Sequence, residues 1–261
     1  MSAQMSRRGF LGLAAGTAAA LGLGLVGCGG SSSSDSGSKT YKIATDTSFP
    51  PFEFTDDSNN FVGIDVDLLK AIGDKEGFKY DLQSLGFDAA VAALESNQAD
   101  AVIAGMSITD ERKQKYDFSE AYYDSYVCMA VKDGGDVKGY DDLKGKKVAA
   151  KNGTQGASCA ESLKDKYGFE ITYFDESPLM YQDVTTGNSV ACFEDYPVMA
   201  YGVKKGNGFK VVAEEKENWS TPYGFAVLKG KNKELLDAFN KGLKELRDSG
   251  DYDKIVNKYL G

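Results

Sequence analysis

Strands and helices alternate along this chain after residue 40, and this alternation constrains the fold more than any other feature of the sequence. Strands are predicted over 41–45, 80–84 and 101–104, and they are separated by helices over 62–72 and 89–94. Apolar residues at helical spacing indicate the first helix. This βαβαβ order predicts a mostly parallel sheet that binds ligands at the carboxyl ends of its strands.

A second cycle of strands and helices occupies the rest of the chain. Its predicted strands are 126–131, 147–150, 171–174, 190–193, 211–213 and 223–228. Its predicted helices are 141–145, 157–167, 178–186, one that begins at Pro197, an amphipathic one over 235–246 and a last one over 251–259. Strands of both cycles end in polar residues, so the two halves are predicted to face a shared cleft.

The N-terminal segment has the pattern of an export signal. Residues 6–11 read Ser-Arg-Arg-Gly-Phe-Leu, a twin-arginine pattern, and an apolar run rich in Ala, Gly and Leu extends to Gly27. A charged start, a short apolar region and small residues before a cut site are typical of a signal peptide. The alternative is a membrane-spanning helix, against which the glycine content and marginal length of the run argue. We expect residues 1–27 to be a signal peptide.

Cys28 follows this run directly and precedes two glycines and four serines. The segment resembles a bacterial lipoprotein signal, and the resemblance implies that Cys28 is lipidated and becomes the first mature residue. Residues 28–40 would then form a lipidated, flexible Ser/Gly tether. We expect the protein to be exported and held by its lipid at the outer face of the cytoplasmic membrane, at the cell surface or in the periplasm.

The composition of the chain excludes several classes of function. The chain carries 30 basic and 39 acidic residues, and residues 1–27 contain two of the arginines and none of the acids. The mature net charge is therefore −11, which excludes the positive surface that nucleic-acid binding needs. The chain has no histidine. This excludes histidine-based triads, histidine general bases and most zinc sites.

Three cysteines follow Cys28, namely Cys128, Cys159 and Cys192, and none has CxxC spacing. Cys128 and Cys192 lie in apolar, strand-like runs and are predicted to be buried small hydrophobes. A Cys159–Cys192 disulfide is compatible with export from the cytoplasm. Because twin-arginine export usually carries folded proteins, we do not expect this bridge to form.

The segment 104–113, Ala-Gly-Met-Ser-Ile-Thr-Asp-Glu-Arg-Lys, follows a buried-looking strand. Gly105 would let a ligand approach the backbone, and Ser107 supplies a hydroxyl. Thr109 and Asp110 are the predicted N-caps of a short helix that carries Arg112 back toward the same point. A guanidinium there would grip a carboxylate through two parallel hydrogen bonds. The alternative interpretation is an ordinary loop with a solvated arginine.

Polar side chains also follow strands elsewhere in the chain. Asp46 follows the first strand, with Phe49 close behind. In the second half the corresponding residues are Thr154, Gln155 and Asp195. An arginine from one half and a carboxylate from the other would hold the α-carboxylate and α-ammonium of an amino acid. Asp195 is also a candidate N-cap of the helix that follows it, a role compatible with a position at the cleft.

Eight short stretches of the chain form, in combination, a pattern specific enough to indicate a family resemblance. They are 45–54 (Thr-Asp-Thr-Ser-Phe-Pro-Pro-Phe-Glu-Phe), 63–67 (Gly-Ile-Asp-Val-Asp), 104–113, 117–119, 122–125, 151–155 (Lys-Asn-Gly-Thr-Gln), 193–197 (Phe-Glu-Asp-Tyr-Pro) and 250–253. Over 41–261 the chain resembles the polar amino-acid-binding proteins of bacterial ABC importers, solute-binding family 3. The resemblance implies a periplasmic-binding-protein type II fold, with two α/β lobes joined by two hinge strands. Lobe 1 is expected over 41–126 and 224–261, and lobe 2 over 127–223.

The resemblance implies that aromatic residues enclose the ligand side chain. Phe49 and Phe87 would flank that side chain, and Asp46 would contact its polar end. Core packing is the commoner role of a single phenylalanine, but the place of these two beside polar residues favours the cleft. The hinges would be formed by 126–130 and 221–224.

The resemblance also implies how the common part of an amino acid is bound. Arg112 would grip the α-carboxylate, with Ser107 and Thr154 contributing backbone groups or hydroxyls. The α-ammonium would be received by the carbonyl of Gly105, by Ser107 and by Asp195.

The identity of the amino acid depends on three further side chains. Lys151 and Asp46 are similar to the glutamine-binding branch of the family, since one donor and one acceptor suit a side-chain amide. Glu194 departs from that branch, and this leaves arginine or lysine as the alternative ligand. A buried carboxylate beside an uncharged ligand needs a partner, for which Lys151 is the candidate. The combined pattern favours glutamine.

Two other classes share this fold, namely enzymes such as a dehydratase of small carboxylic acids and the sensing modules of receptors. A dehydratase would need a positioned acid, for which Glu194 or Asp46 are candidates. The lack of histidine, the lipoprotein signal and the absence of a fused signalling helix argue against both. We expect a non-enzymatic monomer without metal or cofactor, whose partners are a free L-amino acid and the membrane subunits of an ABC importer.

Overall fold

The computed structural model describes residues 39–261. The predicted signal peptide, the lipidation site Cys28 and most of the predicted tether lie outside the described residues. Within 39–261 the chain forms two five-stranded sheets, each covered by helices, and one small hairpin. No helix in this range is both long enough and apolar enough to span a membrane.

The first lobe is built on a sheet with the strand order β4-β1-β5-β12-β6. Its strands are β1 (Thr40–Thr45), β4 (Lys79–Ser84), β5 (Ala101–Val102), β6 (Tyr116–Phe118) and β12 (Ala226–Leu228). The hairpin consists of β2 (Phe54–Thr55) and β3 (Phe61–Val62). The helices of this lobe are α1 (Ile64–Glu76), α2 (Phe87–Glu95), α3 (Arg112–Lys115), α7 (Lys233–Ser249) and α8 (Asp251–Leu260).

The second lobe is built on a sheet with the strand order β11-β7-β10-β8-β9. Its strands are β7 (Val127–Lys132), β8 (Lys147–Lys151), β9 (Glu170–Phe174), β10 (Ala191–Asp195) and β11 (Phe209–Glu214). Its helices are α4 (Gln155–Tyr167), α5 (Ser177–Thr186) and α6 (Tyr196–Lys204), and a 3-10 turn covers Tyr140–Leu143.

Both sheets are mixed, but four of the five strands in each run in the same direction, as the prediction of mostly parallel sheets requires. β1 pairs in parallel with β4 and β5, and β8 pairs in parallel with β9 and β10. β12 is antiparallel to β5 and β6, and β7 is antiparallel to β10 and β11. The reason is connectivity, because β7 and β12 each follow a segment that crosses between the sheets and enters the new sheet in the opposite direction.

The two crossing segments, 119–126 and 215–225, run antiparallel beside each other. The amide of Tyr122 donates to the carbonyl of Tyr223 at 2.9 Å, and the amide of Tyr223 donates to the carbonyl of Tyr123 at 2.8 Å. Regular strand β12 therefore begins at Ala226 rather than at 223, because the preceding residues pair with the other crossing segment. Of the predicted hinge 126–130, residues 127–130 belong to β7.

Each lobe has its own core. In lobe 1 the apolar face of α1 packs against α7, where a Cβ on Gly242 would lie 2.7 Å from the side chain of Ile72. The rings of Phe225 and Phe239 stack at 4.3 Å between centroids and attach α7 to the sheet. In lobe 2, Cys128, Cys159 and Cys192 are buried free thiols, each in an apolar cluster.

Candidate functional site

A cavity lies between the two sheets, where the ends of strands from both lobes meet. The atoms of its wall leave about 290 Å³ between them, a volume that includes space open to solvent. Its wall consists of Ala104 and eleven residues that the sequence singled out. These are Asp46, Phe49, Phe87, Gly105, Ser107, Arg112, Lys151, Thr154, Gln155, Glu194 and Asp195.

Arg112 reaches this cavity from the first residue of α3. The hydroxyl of Thr109 accepts the backbone N–H of Arg112 at 3.1 Å, as the predicted helix cap requires. The guanidinium donates to the carbonyl of Ser107 at 3.0 Å and to the carbonyl of Gly153 in lobe 2 at 2.9 Å. Its carbon atom lies 5.3 Å from the ring centroid of Phe87. The alternative of a freely solvated arginine is therefore wrong, and Arg112 connects the two lobes.

Lys151 and Asp46 form a second connection between the lobes. Both side chains are 2% exposed, and Nζ of Lys151, at the end of β8, donates to Oδ2 of Asp46, directly after β1. The other carboxylate oxygen of Asp46 accepts the N–H of Thr47 at 2.7 Å. Nζ of Lys151 also lies 5.4 Å from the ring centroid of Phe49. An ion pair this deeply buried is favourable only with good geometry, since both charges have lost their water.

Glu194 is hydrogen-bonded within lobe 2. Its Oε2 accepts the hydroxyls of Tyr181 at 2.8 Å and Ser177 at 3.1 Å, and its Oε1 accepts the N–H of Asp195 at 2.9 Å. Burial raises the pKa of Glu194, and the charge of Lys151 opposes the shift. The expected pairing of Glu194 with Lys151 is therefore wrong in its detail, because the ammonium binds Asp46 and acts on Glu194 only through space.

Asp195 is the last residue of β10 and directly precedes α6. Its side chain makes no capping hydrogen bond within the described residues; its Oδ2 instead accepts the hydroxyl of Tyr223 at 2.5 Å. Ser125 donates in turn to the hydroxyl oxygen of Tyr223 at 3.0 Å. Burial, and secondarily the nearby Glu194, raise the pKa of Asp195 to about 7. The capping role that the sequence suggested is thus replaced by a bond to the crossing segment.

The N-terminus of α4 forms another part of the wall. The hydroxyl of Thr154 accepts the N–H of Ala157 at 3.2 Å and donates to the carbonyl of Lys151 at 2.7 Å. A Cβ on Gly156 would lie 2.7 Å from the carbonyl oxygen of Phe193, so glycine lets α4 lie close to β10. The partial positive charge of a helix N-terminus adjoins the cavity and suits a negatively charged ligand group.

Phe49 and Gly105 form the lobe 1 side of the wall and depend on each other. Gly105 has φ +54°, and a Cβ at this position would lie 2.5 Å from the ring of Phe49. Phe49 also packs against Phe52, with ring centroids 6.0 Å apart, so its core and cleft interpretations are both correct. Glycine is therefore required here by both the backbone conformation and the space.

Behind the wall lie residues that sequence reasoning missed, namely Glu53, Asp65, Tyr122, Tyr181 and Tyr223. Each contributes a polar group to the buried network around the cavity. A signal for two of them existed, because Glu53 lies between two phenylalanines and Asp65 between isoleucine and valine. Charged residues in such apolar surroundings are seldom buried without a partner.

Comparisons with known proteins agree with this architecture. The family model described as bacterial extracellular solute-binding proteins, family 3, matches residues 41–261. The arginine-binding extracellular protein ArtP of Bacillus subtilis (strain 168) is 34% identical over 250 residues, covering 93% of this chain and 95% of the relative.

Solved structures show the same two-lobe fold that the sequence predicted. Substrate-binding domain 2 of GlnP from Lactococcus lactis, in an open conformation, is 42% identical with a TM-score of 0.58, covering 84% of this chain and 94% of that one. An ancestral arginine-binding protein bound to glutamine is 40% identical with a TM-score of 0.77, covering 85% and 98% of the two chains. The chain therefore belongs to the bacterial extracellular solute-binding proteins, family 3.

Proposed function

We propose that this protein captures a polar α-amino acid by closure of its two lobes and delivers it to the membrane subunits of an ABC importer. The observation that carries the proposal is the meeting of Arg112 from lobe 1 and Asp195 from lobe 2 at one cavity. A guanidinium and a carboxylate complement the α-carboxylate and the α-ammonium, the two charges common to all α-amino acids.

Closure follows from the same arrangement. An amino acid bound to Arg112 on one side and to Asp195 on the other would connect the two lobes. Two connections between the lobes exist already, from Arg112 to the carbonyl of Gly153 and from Lys151 to Asp46. A ligand that contacts both lobes binds the closed form more tightly than the open form and shifts the population toward it.

Glutamine is our preferred ligand because the carboxylates in the wall already have partners. Asp46 is paired with Lys151, and both oxygens of Glu194 accept hydrogen bonds from lobe 2. A cationic side chain would lie near the ammonium of Lys151, which would repel it. An amide can donate to Asp46 and accept from Lys151 without disturbing the pair. Solved structures of an ancestral arginine-binding protein contain glutamine in one case and arginine in another, so the comparisons leave both ligands open.

A cationic amino acid is the second candidate. The wall contains three carboxylates, Asp46, Glu194 and Asp195, but only two cations, Arg112 and Lys151. If all five side chains are charged, the wall has a net charge of −1, which the positive side chain of a cationic amino acid would balance. The relative ArtP is named for arginine binding.

Isothermal titration of the 39–261 fragment, unfolded and refolded to remove bound ligand, separates these candidates. The panel is glutamine, glutamate, asparagine, arginine, lysine, histidine and cystine. We expect submicromolar binding of glutamine and recovery of the ligand chemically unchanged after incubation. A preference for arginine or lysine would keep the binding mode and reassign the partners of Glu194. Absence of binding to the whole panel would contradict the proposal, and conversion of a ligand would favour a dehydratase-like enzyme.

The lipid anchor is part of the proposal and has its own test. We propose that Cys28 carries a lipid that holds the protein at the outer face of the cytoplasmic membrane. The tether would be residues 28–38, because Lys39 pairs with Asp100 and Thr40 begins β1. The wild-type protein should partition into the detergent phase of a phase-separating detergent, and Cys28→Ala should move it to the aqueous phase. Equal partitioning of the two proteins would contradict the anchor.

A further inference from the structure

Two acidic side chains, Glu53 and Asp65, are buried together in lobe 1 behind the wall of the cavity. Both are 0% exposed. Neither oxygen of Glu53, nor Oδ1 of Asp65, has a hydrogen-bond donor among residues 39–261. Two ionised carboxylates in one apolar site would repel each other and lack solvation. The pair therefore requires a proton.

The surroundings of Asp65 indicate which carboxyl group carries that proton. Oδ2 of Asp65 accepts the N–H of Gly105 at 2.9 Å and the hydroxyl of Tyr122 at 2.7 Å, so two donors favour its ionised form. The N–H of Asp65 donates to the carbonyl of Phe52 at 2.9 Å, which places Asp65 beside Glu53, and each carboxyl group acts on the pKa of the other. The donor that a glutamic acid side chain can offer to the free oxygen of Asp65 is the O–H of its protonated carboxyl.

The Glu53–Asp65 pair is connected to both residues that form the lobe 1 wall, Phe49 and Gly105. The carbonyl of Glu53 accepts the N–H of Phe49 at 2.7 Å, and the N–H of Glu53 donates to the carbonyl of Phe49 at 3.3 Å. Asp65 holds the amide of Gly105, whose backbone lies against the Phe49 ring. A bond between the two carboxyl groups therefore sets the position of Phe49 relative to Gly105.

We propose that Glu53 is a neutral carboxylic acid that donates a hydrogen bond to Asp65 and acts as a positioning residue for the Phe49–Gly105 wall of the ligand cleft. The binding consequence rests on the proposed function; the protonation of Glu53 does not. Loss of the proton would place two negative charges behind the wall and separate Phe49 from Gly105.

Four titratable side chains face Glu53, and their balance determines the sign of the pH dependence. Burial raises the pKa of Glu53 well above its usual range, the charges of Asp65 and Asp46 raise it further, and Lys151 opposes them. Tyr122 faces the pair as the hydroxyl donor to Asp65. The folded protein then holds a proton that the unfolded chain releases above about pH 4.3. The free energy of unfolding therefore falls as pH rises above that value, until the folded pKa is passed.

Two substitutions in the mature full-length chain separate the donor from the charge. Glu53→Gln keeps a donor and carries no charge, whereas Glu53→Met keeps the length and removes the donor. In infrared spectra at pH 8, where Asp195 is mostly ionised, the difference between the wild type and Glu53→Gln should contain a protonated-carboxyl C=O band. The amide resonance of Gly105 should stay in place in Glu53→Gln and move in Glu53→Met.

Binding of glutamine and of the other amino acids in the panel gives the functional readout. We expect the affinity of the wild type to decline at alkaline pH, where Glu53 loses its proton. Glu53→Gln should bind within about threefold of the wild type and lack this decline. Glu53→Met should bind at least about tenfold more weakly than the wild type. Glu76→Gln is the matched control, since Glu76 is a nearly buried lobe 1 glutamate that pairs with Lys241 away from the cavity. Its affinity should be unchanged.

The proposal is overturned if the infrared difference spectrum lacks the carboxyl band, or if Glu53→Met leaves both the Gly105 resonance and the affinity as in the wild type. If Glu53→Met does not fold, the infrared carboxyl band and the pH dependence of affinity in Glu53→Gln decide whether the proposal holds. If no amino acid binds to the wild type, the proposed function fails, while the band and the Gly105 resonance still decide the role of Glu53.

Discussion

The hydroxyl of Tyr223 donates a hydrogen bond of 2.5 Å to Oδ2 of Asp195. Tyr223 belongs to a segment that crosses between the lobes, and Asp195 ends a strand of lobe 2. The carboxylate proposed to receive the ligand ammonium is thus oriented by the part of the chain about which the lobes would move. We therefore expect binding and closure to be coupled through this buried bond.

Tyr223→Phe removes this bond and leaves the ring packing intact. We expect amino-acid binding to weaken by about 1–3 kcal/mol, because the buried carboxylate loses a donor and becomes harder to keep ionised. Titration calorimetry measures the loss. Tyr173→Phe is the control, since its exposed hydroxyl bonds Glu161 on the surface of lobe 2. Equal affinities of Tyr223→Phe and the wild type would show that the hydroxyl does not orient Asp195.

The raised pKa of Asp195 predicts a pH dependence of binding. With a pKa of about 7, the carboxylate is mostly protonated at pH 6 and mostly ionised at pH 8. An ammonium needs the ionised form, so affinity should fall about tenfold from pH 8 to pH 6. Titrations in buffers of different ionisation enthalpy should show proton release on binding near pH 7.

The ligand-free protein should respond to the same group in the opposite sense. A carboxyl group with a raised pKa favours folding in its protonated form, so its contribution to the free energy of unfolding falls as pH rises from about 4 to 7. Asp195→Asn should weaken binding, flatten this slope and leave the protein folded. A fall in the melting temperature of the ligand-free protein that matches the binding loss would instead give Asp195 a structural role, through its bond to Tyr223.

Arg112→Ala should remove most of the affinity for every α-amino acid in the panel. The expected loss is about 3–5 kcal/mol, because the ligand carboxylate would be buried without its cation. The neighbouring Lys113→Ala removes an exposed cation that pairs with Asp110 and should have no such effect. Binding by Arg112→Ala within threefold of the wild type would refute the carboxylate assignment.

Lys151→Met should destabilise the closed form more than it destabilises the fold. In the closed protein Asp46 would be buried without its partner, at a cost of up to about 3–5 kcal/mol, but open lobes would expose it to water. Affinity should therefore drop while the ligand-free melting temperature changes little. Adding Asp46→Asn should restore part of the closure, as small-angle scattering with ligand would show. A large loss of melting temperature in ligand-free Lys151→Met would contradict this role.

Glu194→Gln should change the ligand preference more than the general affinity. The amide keeps an acceptor for Tyr181 and Ser177 but removes one negative charge from the wall. The ratio of arginine to glutamine affinity should therefore fall. A ratio equal to that of the wild type would remove Glu194 from the set of residues that contact the ligand side chain.

Periodicity predicted the long elements of this fold and missed the short ones. The helical spacing of apolar residues predicted α1 and α7, although their ends differ by several residues. Strands β2, β3 and β6 span two or three residues each, which is too short for alternation to be visible. Which strand of each sheet runs opposite to the others was not predicted, because strand direction depends on how distant segments pair.

The local position of the site residues was readable from sequence by itself. Arg112 follows a strand and a capping hydroxyl, and Asp195 ends an apolar run before a proline, so both patterns are contained in a few neighbouring residues. Such patterns determine conformation through steric limits and backbone hydrogen bonds, which act over short stretches of chain.

The tertiary structure alone decided which groups are partners. Lys151 and Asp46 are 105 residues apart in sequence, and Tyr223 and Asp195 are 28 apart. Because burial removes water from every polar group at once, each buried charge binds whichever donor or acceptor the folded chain places beside it. Neighbours in sequence do not determine that choice, and for this reason Lys151 pairs with Asp46 while the hydroxyls of lobe 2 hold Glu194.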